Sequence, residues 1–223
     1  MAFNSAMPSS TATGARPWTA VLPVRSFTEG KTRLRVPRVE TRSLIRAFAQ
    51  DVAAACTTCP QIERTVIVSP DPDVLAAARD YGCDTYVQES AAGINEAIEA
   101  VRQQIAGPLV AILGDVPCLT DSILSMVLSE ASEHAVSFVA DTSGVGSTMW
   151  CARKAPDAHP HFGHHSRAEH RSHGAVELGV GSSSSQWARA RRDVDTDIDL
   201  WDATRLGLGP ATSRLVGDDD GRA

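Results

Sequence analysis

The sequence predicts an α/β protein with three layers, in which helices cover both faces of a mostly parallel sheet that carries an antiparallel addition. Short apolar runs rich in β-branched residues alternate with segments whose apolar residues recur every three to four positions. That alternation is typical of parallel strands joined by helices. Two later β-type runs, at residues 135–140 and 147–152, lie close enough in the sequence to pair as antiparallel neighbours.

Four predicted strands come first, and helices separate them. The strands are the apolar or β-branched runs at residues 18–24, 64–69, 84–87 and 108–113. Helical spacing links two sets of apolar residues, Leu44, Ile45, Phe48, Val52 and Ala55, and then Ile94, Ala97, Ile98, Val101 and Ile105. In such sheets ligands bind beyond the carboxyl ends of the strands. We therefore expect residues 25–31, residues 69–71 and Asp115 to lie at one binding edge.

Length and composition favour one globular domain. The chain of 223 residues is long enough for one well-buried domain and short for two. We expect that domain to span residues 17–215, between disordered tails at 1–16 and 216–223. A net charge of −6 without a dense basic run argues against nucleic-acid binding. No apolar segment reaches membrane-spanning length and residues 1–16 lack the core of a signal peptide, so no membrane association and a cytoplasmic location are expected.

The five cysteines are expected to be reduced thiols, since they are odd in number and widely scattered. Cys56 and Cys59 have CxxC spacing, but Pro60 follows at once and no second such pair occurs. Neither a redox role nor a zinc role is expected for them.

Three acidic residues form a candidate metal site. Asp115 follows the apolar strand predicted at 108–113, and Asp193 and Asp195 are two residues apart, so on an extended segment both carboxylates leave the same face. If the three acids meet, repulsion of roughly 1–4 kcal/mol per pair at about 4 Å must be relieved by a cation. Carboxylates without a thiolate partner suit Mg²⁺, which proteins hold together with substrate phosphates. The pattern predicts a metal-dependent enzyme acting on phosphates.

The acids that follow are assigned a structural role. Thr196 and Asp199 are close to the spacing of a capping box, and Asp197 falls in the first turn of the helix that they would start. Capping does not account for Asp193 and Asp195, which precede the cap.

A basic loop follows the first predicted strand. Arg25, Lys31 and Arg33 are three cations suited to a triphosphate. Gly30-Lys31-Thr32 is similar to the end of a Walker A motif, but that motif needs glycine at the position of Arg25, and Pro37 interrupts the helix that should follow. The position of the loop at the carboxyl end of strand one favours nucleotide binding over a solvated basic turn.

Six of the seven histidines fall within residues 159–173. Histidine-rich tracts often bind metal, yet no cysteine lies nearby to complete a zinc site. Ser166 and Glu169 have capping-box spacing, and a helix that begins there would offer free N–H groups to an anion, with His170, Arg167 and Arg171 on its first turns. Anion binding is the favoured interpretation, and a solvated surface or a zinc site are the alternatives.

Six motifs occur in a fixed order along the chain. They are the basic loop with Lys31, Gly93-Ile94-Asn95, Gly114-Asp115-Val116-Pro117, Gly144-Val145-Gly146-Ser147-Thr148, Phe162-Gly163-x-x-Ser166 and Asp193-Val194-Asp195-Thr196. This ordered set resembles the guanylyltransferases of coenzyme F-420 biosynthesis, over about residues 18–215, and the ending from Leu206 is most similar to actinobacterial members. The resemblance implies a single-domain nucleotidyltransferase with a Rossmann-like sheet of the GT-A/MobA-like type.

The resemblance also implies roles for individual residues. Mg²⁺ would be held by Asp115, Asp193 and Asp195, and catalysis would depend on Lys31, Arg33 and Asp115. A three-carbon phospho-acid would be bound by Ser147, Thr148, Gly163 and Ser166. The nucleotide would be bound by Arg25, Lys31, Ser69, Asp71 and Asn95. The family pattern is nearer Gly-Thr-Gly-Thr at residues 144–147, so which of the hydroxyls of Ser147 and Thr148 faces the substrate stays open.

The implied reaction couples GTP to phosphoenolpyruvate and releases pyrophosphate, which gives enolpyruvyl-diphospho-guanosine. The alternative acceptor is 2-phospho-L-lactate, since both acids present one phosphate and one carboxylate. A related MobA-like enzyme with another base or acceptor is less favoured, because the first loop lacks the sequence L-x-G-G-x-S. A non-catalytic nucleotide-binding or metal-binding protein is less favoured because Lys31 and all three acids occur together. The sequence leaves open the oligomeric state and any coupling to the downstream F-420 transferase.

Overall fold

The computed structural model describes residues 17–28, 30–88, 93–153 and 158–217. Within them seven strands form one sheet: β1 Trp18–Pro23, β2 Ile62–Ser69, β3 Asp84–Val87, β4 Leu109–Ile112, β5 Val136–Ala140, β6 Ser147–Ala152 and β7 Val176–Glu177. They lie in the order β3-β2-β1-β4-β6-β5-β7. The predicted tail at 1–16, and residues 218–223 of the second predicted tail, lie outside the described residues.

The sheet is parallel from β3 to β4 and mixed beyond β4. β1 pairs in parallel with β2 and β4, and β2 pairs in parallel with β3. β6 runs antiparallel to both β4 and β5, and β7 pairs in parallel with β5. The predicted α/β fold with an antiparallel addition is confirmed. Because β6 is reversed, its first residues lie at the same edge as the carboxyl ends of β4 and β5.

The described residues contain eight helices, of which the last three follow β7: α1 Thr41–Thr58, α2 Pro72–Asp80, α3 Ile94–Arg102, α4 Asp121–Ala131, α5 Ser166–Ser172, α6 Ser185–Arg191, α7 Asp197–Leu206 and α8 Pro210–Val216. α1 includes all of the first predicted helical set, and α3 includes the second set as far as Val101. α3 ends before Ile105, which packs against the core without being helical. α8 ends at Val216, the first residue of the predicted C-terminal tail.

Alternate side chains of the strands point into two cores. Ala20 and Leu22 of β1 pack with side chains of α1, α2, α4 and α6. Val21, between them, points to the opposite face, where it packs with α3. Helices thus cover both faces, and the three predicted layers are confirmed. None of the helices in the described ranges is long and apolar enough to cross a membrane.

The capping box predicted at the start of α7 is confirmed. The hydroxyl of Thr196 accepts from the N–H of Asp199, whose carboxylate accepts from the N–H of Thr196. Asp197 lies in the first turn, as predicted. This cap fixes where the extended segment that contains Asp193 and Asp195 must end.

Candidate active site

Lys31 reaches across the carboxyl edge of the sheet to two of the predicted acids. The loop after β1 turns through Gly30 and Lys31, whose φ angles are 87° and 53°. This left-handed conformation is uncommon for a residue with a side chain. It directs the ammonium to the carboxylate of Asp115 and to that of Asp195, whose Oδ1 lies 2.5 Å from Nζ. Burial of the ammonium would lower the pKa of Lys31, but the two carboxylates raise it above its usual value, so Lys31 stays charged.

One backbone hydrogen bond explains why the acids meet. The N–H of Val194 donates to the carbonyl oxygen of Asp115 over 3.0 Å, so residues 193–195 run beside the segment that follows β4. Val194 is buried between the two flanking acids. Burial, followed by the carboxylates of Asp115, Asp141 and Asp195, raises the pKa of Asp193 to about 7. The structure therefore brings Asp115 and Asp195 together at Lys31 and places Asp193 close enough for their charges to raise its pKa.

The donor atoms of these acids suit a divalent cation that is shared with a substrate. Among the side chains that the structure describes, no group of three or more His, Cys, Asp or Glu is by itself arranged to hold a metal ion. The ammonium of Lys31 instead occupies one oxygen of Asp115 and one of Asp195. The other oxygen of Asp115 is buried without a hydrogen-bond partner in the described chain. An unpaired carboxylate oxygen beside an acid whose pKa is raised fits a hard cation that also binds phosphate oxygens.

The other cations of the first loop lie at its rim. The side chain of Arg33 is 74% exposed, and its guanidinium is 3.9 Å from Oδ2 of Asp195. Arg25, just after β1, is also exposed. No helix opens at Lys31, since α1 begins only at Thr41. The loop is therefore not a Walker A motif, as the sequence indicated.

Ser69 and Asp71 connect the end of β2 to this loop. Ser69 is fully buried, and its hydroxyl donates to the carbonyl oxygen of Arg25 and accepts from the N–H of Asp71. Asp71 caps α2 and accepts a hydrogen bond of 2.7 Å from the hydroxyl of Ser26. These bonds fix the path of the loop. Contact of either residue with a nucleotide stays a prediction.

Two of the hydroxyls predicted to bind the acceptor are in contact. Oγ of Ser147, at the start of β6, lies 2.8 Å from Oγ of Ser166, at the start of α5. Thr148 points to the opposite face of β6, where its hydroxyl donates to the carbonyl oxygen of Ala190. The sequence did not decide whether Ser147 or Thr148 faces the acceptor site. In the structure it is the hydroxyl of Ser147 that contacts Ser166. Gly163 has a φ of 136°, which permits the turn that leads to Ser166.

Asn95 supports that turn from α3. Its amide nitrogen donates to the carbonyl oxygen of Phe162, and its amide oxygen accepts from the N–H of the same residue, both over 2.8 Å. These bonds use one of the two N–H groups of the amide and one lone pair of its oxygen, so contact of Asn95 with the nucleotide stays a prediction. In the structure Asn95 positions the segment that carries Gly163 and Ser166.

Asp141 organises the loop between β5 and β6, and the sequence did not indicate this role. Its carboxylate accepts from the N–H groups of Val145 and Gly146, over 3.1 and 2.9 Å, and from the hydroxyl of Ser143. A Cβ on Gly146 would lie 2.6 Å from Oδ2 of Asp141, so a side chain at this position would displace the carboxylate from these bonds. The run Asp-Thr-Ser-Gly is a turn signal, but it does not reveal which groups the carboxylate binds. The loop delivers Ser147 to the edge of the sheet.

The helix cap predicted at Ser166 is wrong. The residue that precedes α5 is His165, which has a φ of 66° and makes no side-chain cap. Ser166 is the first helical residue, and its hydroxyl is hydrogen-bonded to Ser147 on a different element. The hydroxyl of Ser166 therefore binds Ser147 and not the backbone N–H of Glu169 that a capping box would provide.

The histidine segment divides into exposed and buried members. His164, His165 and His173 are exposed. His170 is fully buried, and its Nδ1 lies 3.3 Å from Oγ of Ser147. The sequence placed His170 either close to a phosphate or in solvent. The structure instead buries it against Ser147. Its spacing of four residues from Ser166 was the available signal, since it places both on one helix face.

Removal of zinc is expected to leave the protein unchanged. His161 and His173 stack with ring centroids 3.7 Å apart, and His159 pairs with Glu99, so these side chains already have partners within the protein. We expect a zinc chelator, followed by the return of Mg²⁺, to leave the melting temperature and the enzymatic rate unaltered. A large fall in melting temperature that only Zn²⁺ reverses would contradict this prediction.

All five cysteines are buried and free. Burial raises the pKa of Cys56 and of Cys59, which disfavours the thiolate form needed for redox chemistry or metal binding. The CxxC spacing is therefore explained by core packing.

The sheet has the fold of solved nucleotidyl transferases, and at its carboxyl edge a charged lysine meets two carboxylates. A solved nucleotidyl transferase from Methanothermobacter thermautotroptrophicus shares the fold, with a TM-score of 0.55 at 13% identity, over 86% of this chain and 98% of that one.

Sequence comparison gives the family. The family described as "Guanylyl transferase CofC like" matches residues 18–203. The chain is 33% identical over 208 residues to a phosphoenolpyruvate guanylyltransferase of Streptomyces coelicolor, which covers 89% of this chain and 95% of that protein. It is 36% identical over 205 residues to the protein of the same name from Thermomonospora curvata, with 89% and 88% covered. The chain belongs to the CofC-like guanylyl transferase family, and the resemblance found from its motifs is confirmed.

Proposed function

We propose that this protein transfers the guanylyl group of GTP to phosphoenolpyruvate in coenzyme F-420 biosynthesis. The observation that carries the proposal is the contact of Lys31 with Asp115 and Asp195 at the edge where the Ser147–Ser166 pair also lies. The N–H of Leu113 donates to the carbonyl oxygen of Thr148, so the two groups of residues sit on adjacent strand ends. The names of the relatives from S. coelicolor and T. curvata support phosphoenolpyruvate as the acceptor.

The chemistry requires alignment and charge neutralisation. A phosphate oxygen of phosphoenolpyruvate attacks the α-phosphorus of GTP, the bond from that phosphorus to the bridging oxygen breaks, and pyrophosphate leaves. The attacking oxygen is already anionic, so no general base is needed. Lys31 and Arg33 supply positive charge beside the reacting phosphates, where fixed charges act most strongly.

We assign Mg²⁺ to Asp115, Asp193 and Asp195. When bound, this ion would neutralise phosphate charge and orient the triphosphate. Two observations support the assignment: the unpaired buried oxygen of Asp115 and the raised pKa of Asp193. We place the nucleotide along the first loop, near Arg25, Ser69 and Asp71. The phospho-acid is placed at the hydroxyls of Ser147 and Ser166, beside the turn at Gly163 and the backbone of Thr148.

Pyrophosphate release tests the function directly. We expect the purified protein to release pyrophosphate from GTP with phosphoenolpyruvate, and to require Mg²⁺ for this. The rate with 2-phospho-L-lactate, or with CTP in place of GTP, should be at least about tenfold lower, a difference of roughly 1.4 kcal/mol in transition-state free energy. Faster release with 2-phospho-L-lactate would reassign the acceptor. Binding of GTP without release, with either acceptor, would contradict a catalytic role.

A further inference from the structure

A chain of hydrogen bonds leads from the backbone of His161 to the proposed acceptor site. The N–H of His161 lies 3.0 Å from Nε2 of His170, and Nδ1 of His170 lies 3.3 Å from Oγ of Ser147. Oγ of Ser147 in turn lies 2.8 Å from Oγ of Ser166. The three side chains are at most 4% exposed, so water competes little with these bonds.

The first bond fixes the tautomer of His170. A backbone N–H can only donate, so Nε2 must accept and carries no proton. The ring packs between Phe138 and Phe162, with centroids 5.2 and 5.3 Å away. This burial, followed by the neighbouring His161 and His173, lowers the pKa of His170 to about 4. At neutral pH the imidazole is uncharged, and its one proton is on Nδ1, facing Ser147.

A count of protons shows the effect of this tautomer on the two serines. Together they have two hydroxyl protons, and the bond between them uses one. Because His170 donates to Ser147, the second hydroxyl proton stays available for a ligand. With the other tautomer, Nδ1 would accept that proton, and the pair could offer a ligand only lone pairs.

We propose that His170 is a positioning residue: its Nδ1–H donates to the Ser147–Ser166 pair and thereby makes the pair a hydrogen-bond donor to an anionic oxygen of the acceptor substrate. Carboxylate and phosphate groups present lone pairs, so they bind a donor and are repelled by an acceptor. His170 itself does not touch the substrate. The inference rests on the proposed function, which supplies the acceptor.

Two substitutions at position 170 separate the donor role from a packing role. His170→Asn places an amide N–H near the position of Nδ1 and keeps the donor to Ser147. His170→Gln places its amide near Nε2, so it keeps a partner for the N–H of His161 but loses the donor. We expect His170→Gln to raise the KM for phosphoenolpyruvate about ten- to a hundredfold, with the Kd for GTP within about threefold. His170→Asn should leave both values within about threefold of wild type.

A double variant tests whether His170 acts through the serines. Ser166→Ala should raise the same KM by a similar factor, and adding His170→Gln to it should have little further effect, because the pair is already broken. Additive effects on KM, equal effects of the Asn and Gln variants, or an equal loss of GTP affinity would overturn the inference in favour of packing.

The tautomer can be measured without catalysis. Heteronuclear NMR of wild-type protein with ¹⁵N-labelled histidine should show His170 protonated at Nδ1 and bare at Nε2 at about pH 7. The opposite tautomer or an imidazolium would overturn the inference even if phosphoenolpyruvate is turned over. The expected tautomer in a protein that releases no pyrophosphate would support the polarity of the serine pair and contradict only the proposed function.

Discussion

Asp195→Asn is expected to lower the rate of pyrophosphate release by at least about a hundredfold, since one fixed group that stabilises charge at a reacting centre contributes roughly 10²–10³ in kcat. Asparagine keeps the shape of the side chain but removes the charge that faces Lys31. The side chain of Asp195 is 48% exposed, so the loss should fall on activity and leave the melting temperature nearly unchanged. The measurement is the steady-state rate over a titration of Mg²⁺, together with a thermal unfolding curve.

Asp197→Asn provides the matched control. Asp197 lies two residues further along, is exposed, and belongs to the first turn of α7. The same chemical change there should leave the rate within about threefold of wild type, because surface substitutions away from the site cost little. If Asp195→Asn kept its rate within about tenfold of wild type, the loss of transition-state stabilisation would be at most roughly 1.4 kcal/mol. Asp195 would then not be one of the charged groups on which catalysis depends.

The layers of the fold could be predicted because each strand is a local pattern. β1 is an apolar run, β2 contains a β-branched run, and the apolar residues of α1 and α3 recur every three to four positions. The place of β6 beside β4 could not be predicted in the same way. All six residues of β6 are buried, and four of the five in β5 are, so the apolar pattern does not say which strand lies nearer the centre. The pairing of β5 with β6 could be predicted because the two strands are neighbours in the sequence. The pairing of β6 with β4 could not, because it depends on how the rest of the sheet is arranged.

The acids of the site could be predicted because spacing and strand ends are visible in sequence. Their contact with Lys31 could not, since it depends on a left-handed backbone at a residue that is not glycine. Ser166 shows the limit of a local motif: capping-box spacing indicated a bond three residues away, and the hydroxyl instead binds Ser147, nineteen positions earlier. His170 belongs to that same long-range contact. Hydrogen bonds between distant elements decide the details of this site.

Asp51→Ala is expected to lower the free energy of unfolding by about 2–6 kcal/mol, since it would leave two buried N–H groups unpaired at about 1–3 kcal/mol each. Asp51 lies in α1 and is 4% exposed. Its two oxygens accept from the N–H groups of Ala211 and Thr212, over 2.8 and 2.9 Å, in the first turn of α8. The residue before α8 is Gly209, which has no side chain to cap it. A Cβ on Gly209 would lie 2.3 Å from Cγ of Asp51, so glycine there is what admits the carboxylate.

Urea unfolding of the Asp51→Ala variant measures this contribution, with Asp121→Ala as the control. Asp121 also lies in the first turn of a helix, α4, but it is exposed, so its loss should cost less than about 1 kcal/mol. A cost below 1 kcal/mol for Asp51→Ala as well, with an unchanged m-value, would mean that water satisfies the start of α8 in its place. A cost in the expected range would show that a carboxylate 160 residues away in sequence replaces the missing local cap and fastens α8 to α1.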